Sequence, residues 1–266
     1  MEVQFESQSF LKKAKSMLKV DARRMFTTPL YYIMVGISLV VPILILVMTS
    51  MMSGTTIDPV TGEEVVMETF TNTWQAIGSV SGDSSAMGMS LTGMCNINML
   101  YFFIAVLVCL FVSDDFRSGY AKNLFTVRAG KVDYVLSKSV VGFVGGCSML
   151  LAYFVGAMIG GGVAGLSFNV GAAGAKGIIM CMIAKLFLVA VFVPIYIAVS
   201  VAAKQRAWLS ILGSCCVGML LFTMIPMMTP LDSTVMNVVL CLAGGAMFSV
   251  GLGAVSNLIL KKTNIL

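Results

Sequence analysis

An uncharged apolar run from Leu30 to Met52 constrains this chain more than any other feature of the sequence. A helix of that length, at about 1.5 Å per residue, crosses the roughly 30 Å hydrocarbon layer of a bilayer. Lipid offers no hydrogen-bond partner to the backbone, so such a segment must satisfy its own peptide groups as a helix. The run therefore predicts a membrane anchor.

Five further apolar runs repeat this pattern, at about 96–112, 139–166, 177–203, 207–228 and 234–260. The 266 residues are 58% hydrophobic and 11% charged, whereas soluble domains carry about 25% charged residues. A soluble domain of this size could not bury so much apolar surface. We expect one all-α polytopic membrane domain over residues 1–266, with six transmembrane helices at about 30–52 and the five later runs.

The basic residues are distributed unevenly. Fifteen of the 17 Lys and Arg residues fall in segments 1–29, 114–138, 204–206 and 261–266, which six spans would place on one side. Segment 53–95, on the other side, has five acidic residues and neither Lys nor Arg. Because Lys and Arg favour the cytoplasmic side, we expect a bacterial plasma-membrane protein with both termini cytoplasmic and 53–95 as an extracellular loop. The net charge of +5 then reflects topology, not nucleic-acid binding.

Residues 5–28 have a helical pattern of their own. Apolar side chains such as Phe10, Met17 and Met25 recur at helical spacing, with six Lys and Arg residues between them. This pattern predicts an amphipathic interfacial helix lying on anionic lipid. A helix that packs on a soluble partner is the alternative. Pro29 is expected to end the helix and turn the chain.

Glycines spaced four residues apart mark the third run, and small residues at the same spacing, Gly245, Ser249 and Gly253, mark the sixth. Such spacing lets two helix backbones approach closely in lipid. It predicts helix packing, within one chain or across a dimer, at Gly142, Gly146, Gly156, Gly160, Gly245 and Gly253.

The sequence argues against an enzyme. It contains no His, which removes the most frequent general base and metal ligand. It lacks the nucleotide-binding pattern G-x-x-x-x-G-K-[ST], and its seven Cys residues form no C-x-x-C pair. We expect no catalytic residue, no metal site and no cofactor in this chain.

Lys185 is a charged residue placed well inside a predicted span. A charge in lipid is costly unless it is paired or reaches the headgroups. Lys185 therefore either extends towards the outer headgroups or lines a substrate path. Asn98 and Asn237 are weaker candidates for the same path.

Segment 114–138 is a polar interruption between the second and third runs, with five basic and three acidic residues. Phe116, Tyr120, Leu124 and Phe125 would share one face of a helix there. Asp114 and Asp115 would start that helix, where carboxylates are favoured by the helix dipole, and Gly130 would end it. A simple lipid-facing connector is the alternative.

The residues of this segment resemble those of type-2 ABC transporter membrane subunits. The resemblance lies in Asp115, Gly119 and Leu124, followed by Arg128, Lys131, Tyr134 and Lys138 ahead of an apolar span. The wider layout is also similar, with an N-terminal amphipathic helix and six spans. Subunits of this length with a modest outer loop resemble the peptide-export and lantibiotic-immunity branch.

The resemblance implies a permease subunit of an ATP-driven exporter. Segment 114–138 would contain a cytoplasmic coupling helix that docks on a separate ATP-binding subunit, present in two copies and carrying ATP and magnesium. A second membrane subunit, identical or related, would complete the path for a hydrophobic or amphipathic peptide or lipid-like toxin. The implied coupling residues are Asp114, Asp115, Phe116, Arg117, Gly119, Tyr120 and Leu124.

Two other functions stay open at this point. The chain could be a non-transporting scaffold or sensor whose segment 114–138 binds a cytosolic regulator. It could also be an ion-coupled carrier that uses Lys185.

Overall fold

The computed structural model describes residues 10–51, 55–57, 64–66, 69–79, 95–127, 130–171, 174–204 and 206–262. Nine α-helices are found in these ranges. They are α1 (Phe10–Thr27), α2 (Pro29–Met51), α3 (Leu100–Arg117), α4 (Tyr120–Val127), α5 (Lys131–Val163), α6 (Gly174–Ala203), α7 (Ala207–Phe222), α8 (Met224–Met228) and α9 (Val235–Lys262). A short antiparallel hairpin joins β1 (Thr55–Ile57) to β2 (Glu64–Val66).

Five helical segments are long and apolar enough to cross a membrane, and the protein is therefore membrane-embedded. They run over Pro29–Met51, Ile97–Arg117, Lys131–Val163, Gly174–Ala203 and Val235–Lys261. The predicted span 207–228 is divided at Thr223 into α7 and the five-residue α8. With 16 residues, α7 is shorter than the other candidates, and the count of six spans stays a prediction.

The junction between the first two helices follows the sequence closely. α1 ends at Thr27 and α2 begins at Pro29. Proline suits the first position of a helix because that position needs no N–H donor and proline fixes φ near the helical value. The expectation that Pro29 ends the first helix is confirmed. The part of the predicted 5–28 helix before Phe10 lies outside the described residues.

The interior of the bundle is formed by α3 and α6, whereas α2 and α9 lie at its periphery. Large apolar side chains on the two peripheral helices are exposed, among them Ile33, Met48, Leu242 and Met247. In water such a surface would be unfavourable, but in a bilayer it contacts lipid at no cost. The exposure therefore agrees with membrane embedding.

Three helix pairs meet at the predicted glycines. A Cβ added at Gly142 or Gly146 of α5 would lie 2.9 Å or 2.6 Å from Val193 or Val189 of α6. One added at Gly156 would collide with the carbonyl of Leu39 in α2.

Two further glycines lie against neighbouring helices, and one does not. At Gly160 the added atom would be 2.8 Å from Cα of Ile43, and at Gly245 it would be 3.0 Å from Cβ of Ala190. Within the described part of the chain, nothing lies within 4 Å of such an atom at Gly253. Gly253 therefore faces outward.

Part of the 53–95 loop packs on the end of the bundle where α5 leads into α6. Indole Nε1 of Trp74 donates to the carbonyl of Phe168 at 3.0 Å, and the backbone N–H of Leu231 donates to the carbonyl of Ser79 at 2.8 Å. Phe70 and Ile77 are buried. Residues 69–79 therefore cover this end of the helices.

Candidate functional site: a buried charge cluster

Four charged side chains from three helices form one contiguous group, here called the charge cluster. Asp115 of α3 forms ion pairs with two cations, with Arg24 Nη1 2.7 Å from its Oδ1 and Lys138 Nζ 2.7 Å from its Oδ2. Lys138 Nζ also lies 3.0 Å from Oδ1 of Asp21. The charge cluster consists of Asp21 and Arg24 from α1, Asp115 from α3 and Lys138 from α5.

The cluster is enclosed and electrically balanced. Asp21, Asp115 and Lys138 are fully buried, and only the side chain of Arg24, with 33% exposed, reaches the surface. Two positive and two negative charges sum to zero, so each ion has its counterion at hand. Ionisable side chains inside membrane proteins are costly and usually mark functional positions. Removing one member would leave an uncompensated buried charge, which costs several kcal/mol.

Neutral side chains complete the hydrogen bonding of the two carboxylates. The Tyr134 hydroxyl donates to Oδ2 of Asp115 at 3.0 Å. The Ser137 hydroxyl donates to Oδ2 of Asp21 at 2.6 Å. Because Tyr134, Ser137 and Lys138 occupy consecutive turns at the start of α5, this helix supplies three of the donors. The carboxylates are thereby fixed in position and orientation.

Aromatic rings surround the two cations. Lys138 Nζ lies 3.7 Å from the ring centroid of Phe111, and the guanidinium carbon of Arg24 lies 4.0 Å from that of Tyr120. Desolvated cation–π contacts of this kind contribute about 2 kcal/mol. The ring of Tyr120 therefore links α4 directly to the charge cluster.

Outside the spans, two groups of the cluster region have shifted pKa values. Burial alone would lower the pKa of Arg24, but the charge of Asp115 and its hydrogen bond outweigh burial and raise that pKa. Burial, followed by the nearby negative charge of Asp21, raises the pKa of Tyr120. Arg24 is thus always a cation and Tyr120 is neutral at ordinary pH, which keeps their contact constant.

The seven predicted coupling residues divide into two sets. Asp115 and Phe116 are buried, and Tyr120 and Leu124 are half-buried, whereas Asp114 and Arg117 are exposed. Gly119 forms the turn between α3 and α4 with φ of +73°, a conformation that favours glycine. The first set faces the bundle and the second faces solvent.

The short helix α4 is held by aromatic packing on Tyr134. The rings of Phe125 and Tyr134 meet edge to face with centroids 5.4 Å apart, and Phe116 approaches the same ring at 6.3 Å. The opposite surface of α4 exposes Lys122, Asn123 and Thr126. Tyr134 therefore contacts α4 with its ring and Asp115 with its hydroxyl.

Both predicted ends of the helix in this segment are wrong. Asp114 and Asp115 do not begin a helix of segment 114–138, because they lie in the last two turns of α3. A carboxylate near a helix C-terminus is unfavourable by the helix dipole, but the Arg24 and Lys138 cations compensate at Asp115. Gly130 likewise does not end the short helix but precedes α5 as its N-cap.

A second polar site lies at the other end of α3, around Lys185. Lys185 is fully buried, and its Nζ donates to Oδ1 of Asn98 at 2.7 Å and to Oγ1 of Thr229 at 3.0 Å. The side chain therefore does not reach for the headgroups. Asn237 lies elsewhere: its Oδ1 accepts from the N–H of Thr234 at 3.1 Å, at the start of α9.

Sequence reasoning missed Asp21 and Thr229. Asp21 had a signal, because it continues the stripe of Met17 and Met25 that faces the bundle. A carboxylate within an apolar helix stripe indicates a buried partner. Thr229 had no comparable signal, since its contact with Lys185 depends on how α8 ends.

Comparisons of the chain with protein-family models, with curated proteins and with solved structures gave no match. In the described part of the chain, no group of three Cys, Asp or Glu side chains could hold a metal ion. What the structure offers is a neutral charge cluster that joins α1, α3 and α5 beneath the exposed surface of α4.

Proposed function

We propose that this chain is the permease subunit of an ATP-driven exporter of the type-2 ABC class. A separate partner subunit, in two copies, binds and hydrolyses ATP with magnesium. A second membrane subunit, identical or related, completes the path. The substrate is a hydrophobic or amphipathic peptide or a lipid-like toxin.

The observation that carries this proposal is the charge cluster at the base of α4. A surface turn between two spans needs no buried ion network. Here Asp115, Arg24 and Lys138 join the end of one span to the start of the next and to the N-terminal helix. Because buried charges hold only narrow geometries, a displacement at α4 moves these helices together.

In the proposed mechanism, the displacement of the ATP-binding subunit first reaches the exposed face of α4. Lys122 and Asn123 are exposed there, and Arg117 is exposed at the adjoining end of α3. These three residues dock on the ATP-binding subunit. Closure of that subunit pushes α4 against Tyr134 through Phe125. Tyr134 transmits the displacement to Asp115, and α1, α3 and α5 tilt between two access states.

The proposal includes a topology. α7 and α8 together form a sixth crossing, α1 lies on the cytoplasmic membrane face, and both termini are cytoplasmic in a bacterial plasma membrane. The distribution of Lys and Arg over segments 1–29, 114–138, 204–206 and 261–266 supports this arrangement.

A charge reversal on the docking face tests the function. The chain is purified together with a candidate ATP-binding subunit, sought in the adjacent reading frames, and ATP hydrolysis is measured in proteoliposomes. Arg117→Glu is expected to lower co-purification and substrate-stimulated hydrolysis at least tenfold. Arg206→Glu, the same change at an exposed residue outside segment 114–138, is the control and is expected to change both less than twofold.

Equal behaviour of the two variants would reject α4 as the docking helix. A stable complex with a cytosolic protein that hydrolyses no ATP would favour the scaffold or sensor. Transport driven by an ion gradient without any ATPase, and lost in Lys185→Met, would favour the carrier.

A further inference from the structure

Lys185 is a fully buried basic side chain, and its hydrogen bonds within the described residues include no carboxylate. Both acceptors of its Nζ, Oδ1 of Asn98 and Oγ1 of Thr229, are neutral oxygens. The buried Lys138 of the charge cluster differs in this respect, because it contacts two carboxylates, those of Asp21 and Asp115. An ammonium has three donors, so Lys185 can accept one more partner without giving up either of these.

An apolar cavity of about 140 Å³ lies between α6, α7, α8 and α9. It is lined by apolar groups such as Phe192, Leu221, Met224, Gly244 and Phe248. Several of its lining side chains, among them Met224, Leu240 and Phe248, are also exposed, so the cavity opens on one side towards the outside of the bundle. The space therefore suits about six carbons of an apolar chain, and the rest of a longer chain would extend through the open side into lipid.

The cavity and Lys185 share a wall. Leu188, one turn after Lys185 on α6, lines the cavity. Ile225 also lines it, and its carbonyl accepts from the hydroxyl of Thr229 at 2.8 Å. A single layer of side chains thus separates the apolar space from the ammonium.

The short helix α8 connects the two features. It contributes Met224, Ile225 and Met228 to the cavity wall, and the next residue, Thr229, holds the ammonium. A shift of this five-residue helix would open the wall between the cavity and Lys185.

We propose that this cavity, together with Lys185, binds an apolar chain that ends in a carboxylate. The chain occupies the cavity, and the carboxylate receives hydrogen bonds from the ammonium and neutralises it. Charge-assisted hydrogen bonds of this type are about twice as strong as neutral ones. The inference rests on the proposed function, and it narrows the exported substrate to a single-chain carboxylate or a hydrophobic peptide with a free C-terminus.

Binding of radiolabelled laurate to the full chain in nanodiscs tests this assignment without any ATPase. Saturable binding is expected, with dodecylamine, which has the same chain and the opposite charge, competing at least tenfold more weakly. Lys185→Met is expected to reduce laurate affinity at least tenfold. Trileucine and its C-terminal amide are used as competitors to identify the class of ligand. Competition by trileucine but not by its amide indicates a peptide with a free C-terminus. Competition by neither indicates an acyl chain.

A second variant keeps the test valid if Lys185→Met does not fold. Gly244→Phe places a ring in the cavity, where nothing lies closer than 3.8 Å to an added Cβ, and is expected to abolish saturable binding. Gly251→Phe is the control on the same helix, since nothing lies within 4 Å of its added Cβ among the described residues, and should leave affinity within twofold.

Equal competition by dodecylamine and laurate would overturn the assignment, and so would unchanged laurate affinity in folded Lys185→Met or Gly244→Phe. Because this binding needs no partner, its loss leaves the ATPase test of Arg117→Glu intact. Conversely, failure of that test leaves the binding result standing.

Discussion

At the residue scale, Asp115 has the largest predicted effect on stability. Asp115→Asn would leave Arg24 and Lys138 close together with one counterion fewer. Breaking a buried ion pair from one side costs about 3–5 kcal/mol, and we expect a loss of that order in the free energy of unfolding, measured by denaturant titration in micelles. Asp114→Asn, at the exposed neighbour, should change it by less than about 0.5 kcal/mol. Equal losses in both would contradict the cluster.

The second prediction concerns stability and follows from the balance of two positive and two negative charges in the charge cluster. Asp21→Asn leaves one excess positive charge, and Lys138→Met leaves one excess negative charge. The double variant removes an ion pair whose charges lie 3.0 Å apart and leaves Arg24 paired with Asp115. We expect its loss of unfolding free energy to fall short of the sum of the single losses by about 1–3 kcal/mol. Additive losses would show that charge balance does not govern this site.

Part of this site could be read from the sequence. The resemblance of segment 114–138 to type-2 ABC transporter membrane subunits implied Asp115, Gly119 and Leu124, and Lys138 belonged to the same pattern. Asp21 and Arg24 were not predicted as members, because their partners lie 117 and 91 residues away along the chain. The position of Asp21 in an apolar stripe indicates a buried partner, but a single sequence does not show which distant residue that partner is.

At the element scale, the contact between α2 and α5 depends on glycine. A Cβ at Gly160 would lie 2.8 Å from the backbone of Ile43, which cannot move away like a side chain. We expect Gly160→Ala to destabilise the chain by about 1–3 kcal/mol, measured by thermal unfolding in micelles. Gly162→Ala is the control on the same helix, because nothing lies within 4 Å of its added Cβ in the described residues. Indistinguishable variants would argue against close α2–α5 packing.

The positions of the long helices were predictable, and several of their ends were not. An apolar run locates a span because lipid demands internally bonded helix. The second and third spans were predicted to end at 112 and to begin at 139, whereas α3 continues to Arg117 and α5 begins at Lys131. Asp115 and Lys138 belong to these helix ends, and their mutual pairing lets them stay buried where hydropathy alone would place them in solvent.

At the scale of the whole molecule, α3 connects the two polar sites. Asn98, just before α3, binds Lys185, and Asp115 near its other end binds Arg24 and Lys138. The separation of 17 positions between Asn98 and Asp115 corresponds to about 26 Å at 1.5 Å per residue. In the proposed exporter, a helix of this length carries a tilt from the charge cluster to Lys185 at the far side of the bundle.

The number of crossings decides on which side α9 ends. If α7 and α8 together cross the membrane, exposed residues Lys15, Lys122, Arg206 and Lys261 share one side. In a variant without the native cysteines, a single cysteine at each of these positions should react with an impermeant maleimide in inverted vesicles and be protected in intact cells. A cysteine at Asn169, exposed between α5 and α6, is the opposite-side control and should react in intact cells.

The position of Lys261 discriminates between the two counts. With only the five long helices crossing, the end of α9 would lie opposite α1, and the cysteine at Lys261 would react in intact cells together with that at Asn169. Lys261 and Lys262 would then lie outside, against the preference of cations for the cytoplasmic side. The 16 residues of α7 reach about 24 Å, and the added turn of α8 brings the pair close to the full hydrocarbon thickness. We therefore expect protection of Lys261.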